Sequence, residues 1–155
     1  MEIRDYNDSD TLSITKLFHA SVHAIKDELY TDAQKEAWAP TPPDYNAWKD
    51  RLKVKQPFVG VIEGVIVGFI ELDSDGHIDC FYVHKNYQGH GIGSQLLDHL
   101  IQHGRNNGLS LFYMEASKSA EPIFKKYGFV RQSINELVVR GQVLTNYNMT
   151  LTVEP

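Results

Sequence analysis

The stretch Gln88-Gly89-His90-Gly91-Ile92-Gly93-Ser94 has the residue types and spacing to hold a phosphate. Glycines at alternate positions let backbone approach a ligand without Cβ hindrance. Straight after them, Leu96, Leu97, Leu100 and Ile101 recur at helical spacing, which predicts a helix running to about Gly104. The free N–H groups of its first turn, backed by the positive end of the helix dipole, favour an anion. A strand-like run, Ile78 to Val83, leads into the loop. Strand, glycine loop and helix together point to a grip on a pyrophosphate.

The elements that position this grip follow from the rest of the chain. Glu2–Asp5 reads as a short edge strand. Asn7, Asp8, Ser9 and Asp10 offer N-cap oxygens to a helix carrying Leu12, Leu17, Phe18, Val22, Ile25 and Leu29. Thr31-Asp32-Ala33-Gln34 is a capping box for a second helix, which Pro40, Pro42 and Pro43 end. Asp44 can cap a third, carrying Trp48 and Leu52. From Phe58 the period changes to that of strands: Phe58–Glu63, Val65–Leu72 and His77–Val83, separated by the turns Glu63-Gly64 and Asp73-Ser74-Asp75-Gly76. The helical crossover then makes the strand Leu109–Glu115 parallel to His77–Val83. Ser119–Tyr127 is a short helix with Pro122 in its first turn and Gly128 at its C-cap. Phe129–Val139 and Val143–Val153 close the chain as a hairpin, which can pair across a homodimer. The fold class is α+β, or mixed α/β, with a central, mostly antiparallel sheet flanked by helices and one parallel pair that splays to admit a ligand.

Bulk properties narrow the function. One domain over residues 1–155 is the natural count for this length. No apolar run approaches the ~20 residues of a membrane span, and the N-terminus lacks the pattern of a secretory signal. A single cysteine, Cys80, fits a reducing cytoplasm. The net charge of −5 argues against nucleic acid as partner and is compatible with a cationic substrate.

Three phosphate loops compete. A P-loop needs Gly-Lys-Ser/Thr, but Gly93 is followed directly by Ser94. A dinucleotide fingerprint needs Gly-x-Gly-x-x-Gly, and neither Ser94 nor Leu96 supplies the third glycine, although Glu115 stands where a ribose-binding carboxylate would. The third possibility accounts for more residues. Gln88-Gly89-His90-Gly91-Ile92-Gly93 resembles Gln/Arg-x-x-Gly-x-Gly/Ala, the pyrophosphate loop of the GNAT superfamily of acyl-CoA N-acyltransferases. Ser117 to Phe129 resembles that family's Asn-x-x-Ala-x-x-Phe-Tyr-x-Lys-x-Gly-Phe segment, and the element order is the family's over essentially the whole chain.

The resemblance implies an acetyl-CoA-dependent N-acetyltransferase that passes an acetyl group to a primary amine of a small molecule or peptide by direct attack on the thioester. Backbone amides of Gln88, Gly89, His90, Gly91, Ile92, Gly93 and Ser94 would hold the coenzyme A pyrophosphate. Phe81, Tyr82 and Val83 would pair with the pantetheine arm, and Ser117 stands where the family often has a cofactor-touching Asn. Tyr30 and Trp38 fall in the region that lines the acceptor pocket.

Amide formation needs a neutral amine, donors for a tetrahedral oxyanion and a stabilised thiolate. Asp79 is the first candidate base and Glu71 the second; His77 has a suitable pKa but follows a turn glycine. Strand alternation puts Asp79 on one face with His77 and Phe81, and Cys80 on the other. The family's tyrosine acid is replaced by Phe124, which cannot donate, so Tyr127, one turn later, is the nearest substitute. That gap keeps a non-catalytic acyl-CoA-binding module open as an alternative, beside a dinucleotide-binding domain. His99 and His103 stand four apart without a third ligand, so no metal is expected.

Overall fold

Two antiparallel sheets meet along one edge, and two clefts flank the line where they part. The computed structural model describes residues 1–154. The first sheet has the order β1 (Glu2–Asp5), β2 (Phe58–Ile62), β3 (Val65–Leu72), β4 (Ile78–Val83). The second has the order β5 (Leu111–Ser117), β7 (Gln142–Thr152), β6 (Val130–Val139). Three helices precede β2: α1 (Thr11–His23), α2 (Asp32–Trp38) and α3 (Tyr45–Lys55). Helix α4 (Ile92–Asn106) crosses from β4 to β5, and α5 (Glu121–Tyr127) joins β5 to β6. Between β4 and β5 the backbone makes a single parallel bridge, His77 to Tyr113, with Tyr113 N–H donating to Gly76 O at 3.1 Å. Beyond it the two strands belong to separate sheets.

The local chemistry of the sequence explains the element ends. Asn7 and Thr31 close capping boxes, and Asp44 Oδ1 accepts from Ala47 N–H at 3.0 Å. The helix expected to carry Ile25 and Leu29 ends instead at His23. Lys26 O there accepts from both Leu29 and Tyr30 N–H, a tight turn that delivers Tyr30 into the interior at 2 % exposure.

Helix α4 packs Leu96, Leu97, Leu100 and Ile101 against Val67, Ile78, Phe112, Phe124 and Met149. On the opposite face of the first sheet, Ile14 and Leu17 of α1 and Leu52 of α3 cover Val59 and Phe69. Each fully buried Leu, Ile or Phe contributes about 1.5–3 kcal/mol of transfer free energy, so these two layers hold the framework. A β-bulge interrupts the pairing of β3 with β4. Ile70 faces Phe81 and Leu72 faces Ile78, so Glu71 alone opposes both Asp79 and Cys80. Asp79 and Cys80 consequently both reach Arg51 of α3, while Ile78 and Phe81 pack on the α4 side. Strict alternation, which separates Asp79 from Cys80, fails because one extra residue resets the period.

Strand β6 is an edge, and Val130, Ile134, Leu137 and Val138 on it are exposed. Among the described residues no helix is long and apolar enough to cross a membrane.

Candidate active site

Two clefts flank the gap between β4 and β5. The larger, about 750 Å³, is lined by the turn after α1, by Phe81–Val83, by loop residues 87–89 and 91–94, and by residues 117–120, Pro122, Ile123 and Lys126. The smaller, about 290 Å³, opens between Asp79, Glu115 and the hairpin residues Leu137, Val139, Leu144 and Asn146. Trp38, Phe81, Tyr82, Ser117 and Ala120 line both, so the clefts meet at these residues.

The loop has the predicted character. Gly89 and Gly91 sit at φ 83° and 76°, a left-handed conformation that disfavours a Cβ, although a Cβ at either would meet no atom within 4 Å. The cradle is therefore open, and no side chain caps α4, whose first amides face it. Gln88 Nε2 steadies the loop by donating to Val83 O at 3.2 Å, and Ser21 Oγ donates to the same carbonyl at 2.8 Å. At Gly93 a Cβ would lie 3.0 Å from the Phe81 ring, so glycine there allows α4 to seat against β4. Every loop residue nominated from the sequence lines this cleft except His90, whose exposed side chain lies outside it. Ser117 accepts from Ala120 N–H at 3.1 Å and lies within hydrogen-bond distance, 2.9 Å, of Ser119 Oγ.

The charges sort by cleft. Lys26, Lys118 and Lys126 line the larger one, with no carboxylate. Asp79 and Glu115 line the smaller one, with no Lys or Arg. The lysines come from three separate segments and escape any local motif. Only their positions beside the loop, in space, reveal them.

The proposed catalytic residues are placed unequally. Asp79 lines the smaller cleft, but Lys55 Nζ at 2.8 Å and Arg51 Nη2 at 2.9 Å hold it. Burial pushes its carboxyl up, yet these two cations outweigh burial and keep it below the ordinary carboxylate range. Glu71 is 0 % exposed beneath Arg51, with Nη2 2.6 Å from its Oε1, and lines neither cleft. Its pKa is raised by burial, despite Arg51. Tyr127 turns away from both clefts: its hydroxyl donates to Asp98 Oδ1 of α4 at 3.0 Å, and burial with that contact raises it to about 12. The substitute acid expected from helical spacing thus faces α4: three residues past Phe124 it sits about 60° round α5 and roughly 4.5 Å further along its axis, at the helix end. Phe124 is buried edge-on against Phe81, ring centroids 5.3 Å apart.

Tyr30 and Trp38 do line the smaller cleft and pack edge to face, centroids 5.4 Å apart. Tyr30 Oη donates to Thr145 O at 2.6 Å and accepts from Lys118 N–H at 3.0 Å, tying the α1–α2 turn to β7 and to the residue after β5, both of the second sheet. His99 and His103 pack on Phe58, centroids 4.8 and 4.9 Å away. Among the described residues three clusters of carboxylate, histidine or cysteine side chains have ligand atoms within 4.8 Å of one another. The positive groups of Arg51 and Lys55 already occupy the two around Asp79.

A family model for the acetyltransferase (GNAT) domain matches residues 26–151. The chain belongs to the GNAT acetyltransferase family. The N-acetyltransferase YafP of Escherichia coli K12 is 31 % identical over 149 residues, spanning 96 % of this chain and 94 % of that protein. The crystal structure of a GCN5-related N-acetyltransferase from Rhodopseudomonas palustris superposes with a TM-score of 0.92 at 31 % identity, covering 98 % of this chain and 95 % of that one. The yncA acetyltransferase of Salmonella typhimurium, solved with acetyl-CoA, shares the fold: TM-score 0.72, 24 % identity, 100 % of this chain and 95 % of that one. This GNAT chain is an N-acetyltransferase, and the family uses acetyl-CoA. The residues fit that cofactor: an open glycine cradle, a helix N-terminus and three lysines suit its phosphates, and the cleft continues from them to the gap.

Proposed function

We propose that this GNAT enzyme acetylates a primary amine of a small molecule or peptide by direct attack on the thioester of acetyl-CoA. The observation that carries this reading is the sorting of charge: a cationic cleft for an anionic cofactor meets an anionic cleft for a cationic acceptor. When bound, acetyl-CoA supplies the activated carbonyl. The chain supplies the rest. Amides of Gly89–Ser94 and the ammonium groups of Lys26, Lys118 and Lys126 hold the diphosphate and its neighbours. Backbone on the open edge of β4, at Phe81–Val83, orients the pantetheine arm and offers N–H groups to the oxyanion. Asp79, kept ionised by Lys55 and Arg51, draws the ammonium form of the acceptor into the smaller cleft, where Tyr30 and Trp38 bound it. A carboxylate held this firmly ionised is a weak base, so its part is attraction. Glu71, out of reach of both clefts, keeps Arg51 in place. No phenol faces the gap from α5, so the departing thiolate leaves without a dedicated acid from that helix. The exposed row on β6 is the surface we assign to self-association, which sedimentation of the wild type and Ile134→Asp reads directly.

The test is release of free thiol from acetyl-CoA over a panel of primary amines, with binding measured in parallel. Turnover on at least one amine supports the reading. Tight binding with no turnover on any acceptor favours a non-catalytic acyl-CoA-binding module. Stabilisation by NAD or ATP, with none by acetyl-CoA, refutes the assignment of the loop.

A further inference from the structure

One chain of ionisable groups runs from the smaller cleft to the surface. Glu115 lines that cleft, and its Oε2 lies 2.9 Å from His77 Nε2. The other ring nitrogen, Nδ1, lies 3.3 Å from Asp73 Oδ2. The His77 ring stacks on Tyr113, centroids 4.9 Å apart, and the backbones of these two residues form the bridge between the sheets. His77 N–H donates to Asp75 Oδ1 at 3.2 Å, and the Tyr113 hydroxyl donates to the same carboxylate. The imidazole is thus fixed in orientation at the vertex of the gap, between one carboxylate inside the cleft and one outside it. The charged and titratable groups facing it are Asp73, Asp75 and Asp79 from the turn and β4, Glu115 and Tyr113 from β5, and Lys55 from α3, which bonds Asp73 and Asp79. Asp79 answers to two cations, whereas the ion partner of Glu115 is His77.

We propose that Glu115 takes the proton from the acceptor's ammonium and that His77, oriented by Asp73, receives it from Glu115. This rests on the acetyl-transfer reading above. An N–H bond of the ammonium breaks as an O–H bond forms on Glu115, and the electron pair left on nitrogen is the nucleophile. The proton then passes from Glu115 Oε2 to Nε2 of neutral His77. The resulting imidazolium lies between Glu115 and Asp73 and loses its proton to water, since the His77 side chain is 20 % exposed. Glu115 returns to its carboxylate, and no group is left altered. The relay joins a carboxylate that reaches the amine to an imidazole whose basicity suits neutral pH. Burial depresses His77, but Glu115, then Asp73, outweigh it and raise the imidazole above its ordinary value. The relay therefore conducts only above that raised value. Glu115 is the catalytic residue and His77 a positioning and proton-accepting partner.

Two measurements test this. The first is kcat/KM against pH, using an amine turned over in the panel. The wild type should gain rate with rising pH through one ionisation above about 6.5. Glu115→Gln should lower kcat by on the order of 10²–10⁴, with KM for the amine changed far less. His77→Gln should flatten the rising limb, and Glu115→Asp should retain it. The second needs no acceptor: the imidazole titrations by NMR of histidine-labelled protein. Glu115→Gln should lower the pKa of His77 and leave the other imidazoles in place, which also certifies that the variant is folded. A His77 titration that does not move, or a Glu115→Gln enzyme with wild-type kcat and pH slope, overturns the relay. A wild type that turns over no amine, while Glu115→Gln still moves His77, refutes the acetyl-transfer reading and the relay's catalytic role with it.

Discussion

Replacing Arg51 with Met should destabilise the fold by leaving a buried charge without its partner. The Arg51 guanidinium is the partner of a carboxylate that water cannot reach: Glu71 is 0 % exposed, with contacts of 2.6 and 3.3 Å to Arg51. Removing one member of a buried ion pair costs about 3–5 kcal/mol, because the remaining charge is left without compensation. The Arg51 side chain is 33 % exposed, so water offsets part of this and the lower end, about 3 kcal/mol, applies. For a chain of this size that lowers Tm by about 6–12 °C. The pH dependence has a definite sign. Burial raises the Glu71 pKa in the fold above its unfolded value, so ionising it costs more in the native state. That cost is absent below the unfolded pKa, near 4.3, and grows as pH rises toward the folded value. In the wild type Arg51 offsets part of it. In Arg51→Met it does not, so the deficit in Tm should be small near pH 4 and largest at neutral pH. Adding Glu71→Gln to the variant should recover most of the loss. Thermal melts followed by circular dichroism from about pH 4 to pH 8 measure both effects. A deficit independent of pH, or a double variant no more stable than Arg51→Met, would show that packing rather than the buried charge sets the cost.

Three further outcomes follow from the same geometry. Gly91→Glu forces a left-handed φ on a side chain and sets a carboxylate against the phosphate cradle; coenzyme A affinity by calorimetry should fall at least tenfold, the effect of about 1.4 kcal/mol. Tyr127→Phe removes only a hydroxyl bonded to Asp98; kcat should stay within about twofold of wild type, since the lost bond is worth about 0.5–1.5 kcal/mol of stability. His77→Gln should remove a stabilising contribution that is complete below the unfolded histidine pKa of about 6.5 and fades as pH rises through the raised folded value. Melts at acid and alkaline pH should therefore differ from wild type at the acid end and converge at the other.

The parts of this molecule that repeat a local rule were readable from its residues. Gly89, Gly91 and the Leu96–Ile101 stripe specify a loop and a helix because backbone freedom and a 3.6-residue period are local properties. Thr31 with Gln34, Pro122 and Gly128 mark helix ends for the same reason. Family resemblance points to Tyr30 and Trp38 as acceptor-pocket residues, and they line the smaller cleft, the one proposed above to take the acceptor. What stayed hidden depends on distance or on a single inserted residue. The bulge that turns Asp79 and Cys80 the same way breaks the very period used to assign faces. His77 and Glu115 are 38 residues apart and meet only through the crossover. Lys26, Lys118 and Lys126 gather from three segments. Tyr127 is about 60° round α5 and one turn along from Phe124, an offset that turns its hydroxyl to Asp98 and that no spacing rule resolves without knowing where α5 lies.

The single backbone bridge at His77 and Tyr113 also has a mechanical meaning. Within each sheet the ladder of hydrogen bonds makes a stiff leaf, and between the leaves there is one rivet. Rotation about that rivet would change the width of the opening where the two clefts meet, with no strand pairing inside either leaf broken. Phe81 and the other side chains that line both clefts stand in that opening and outside the ladders, so exchanges among them would alter its width without the loss of a strand pairing.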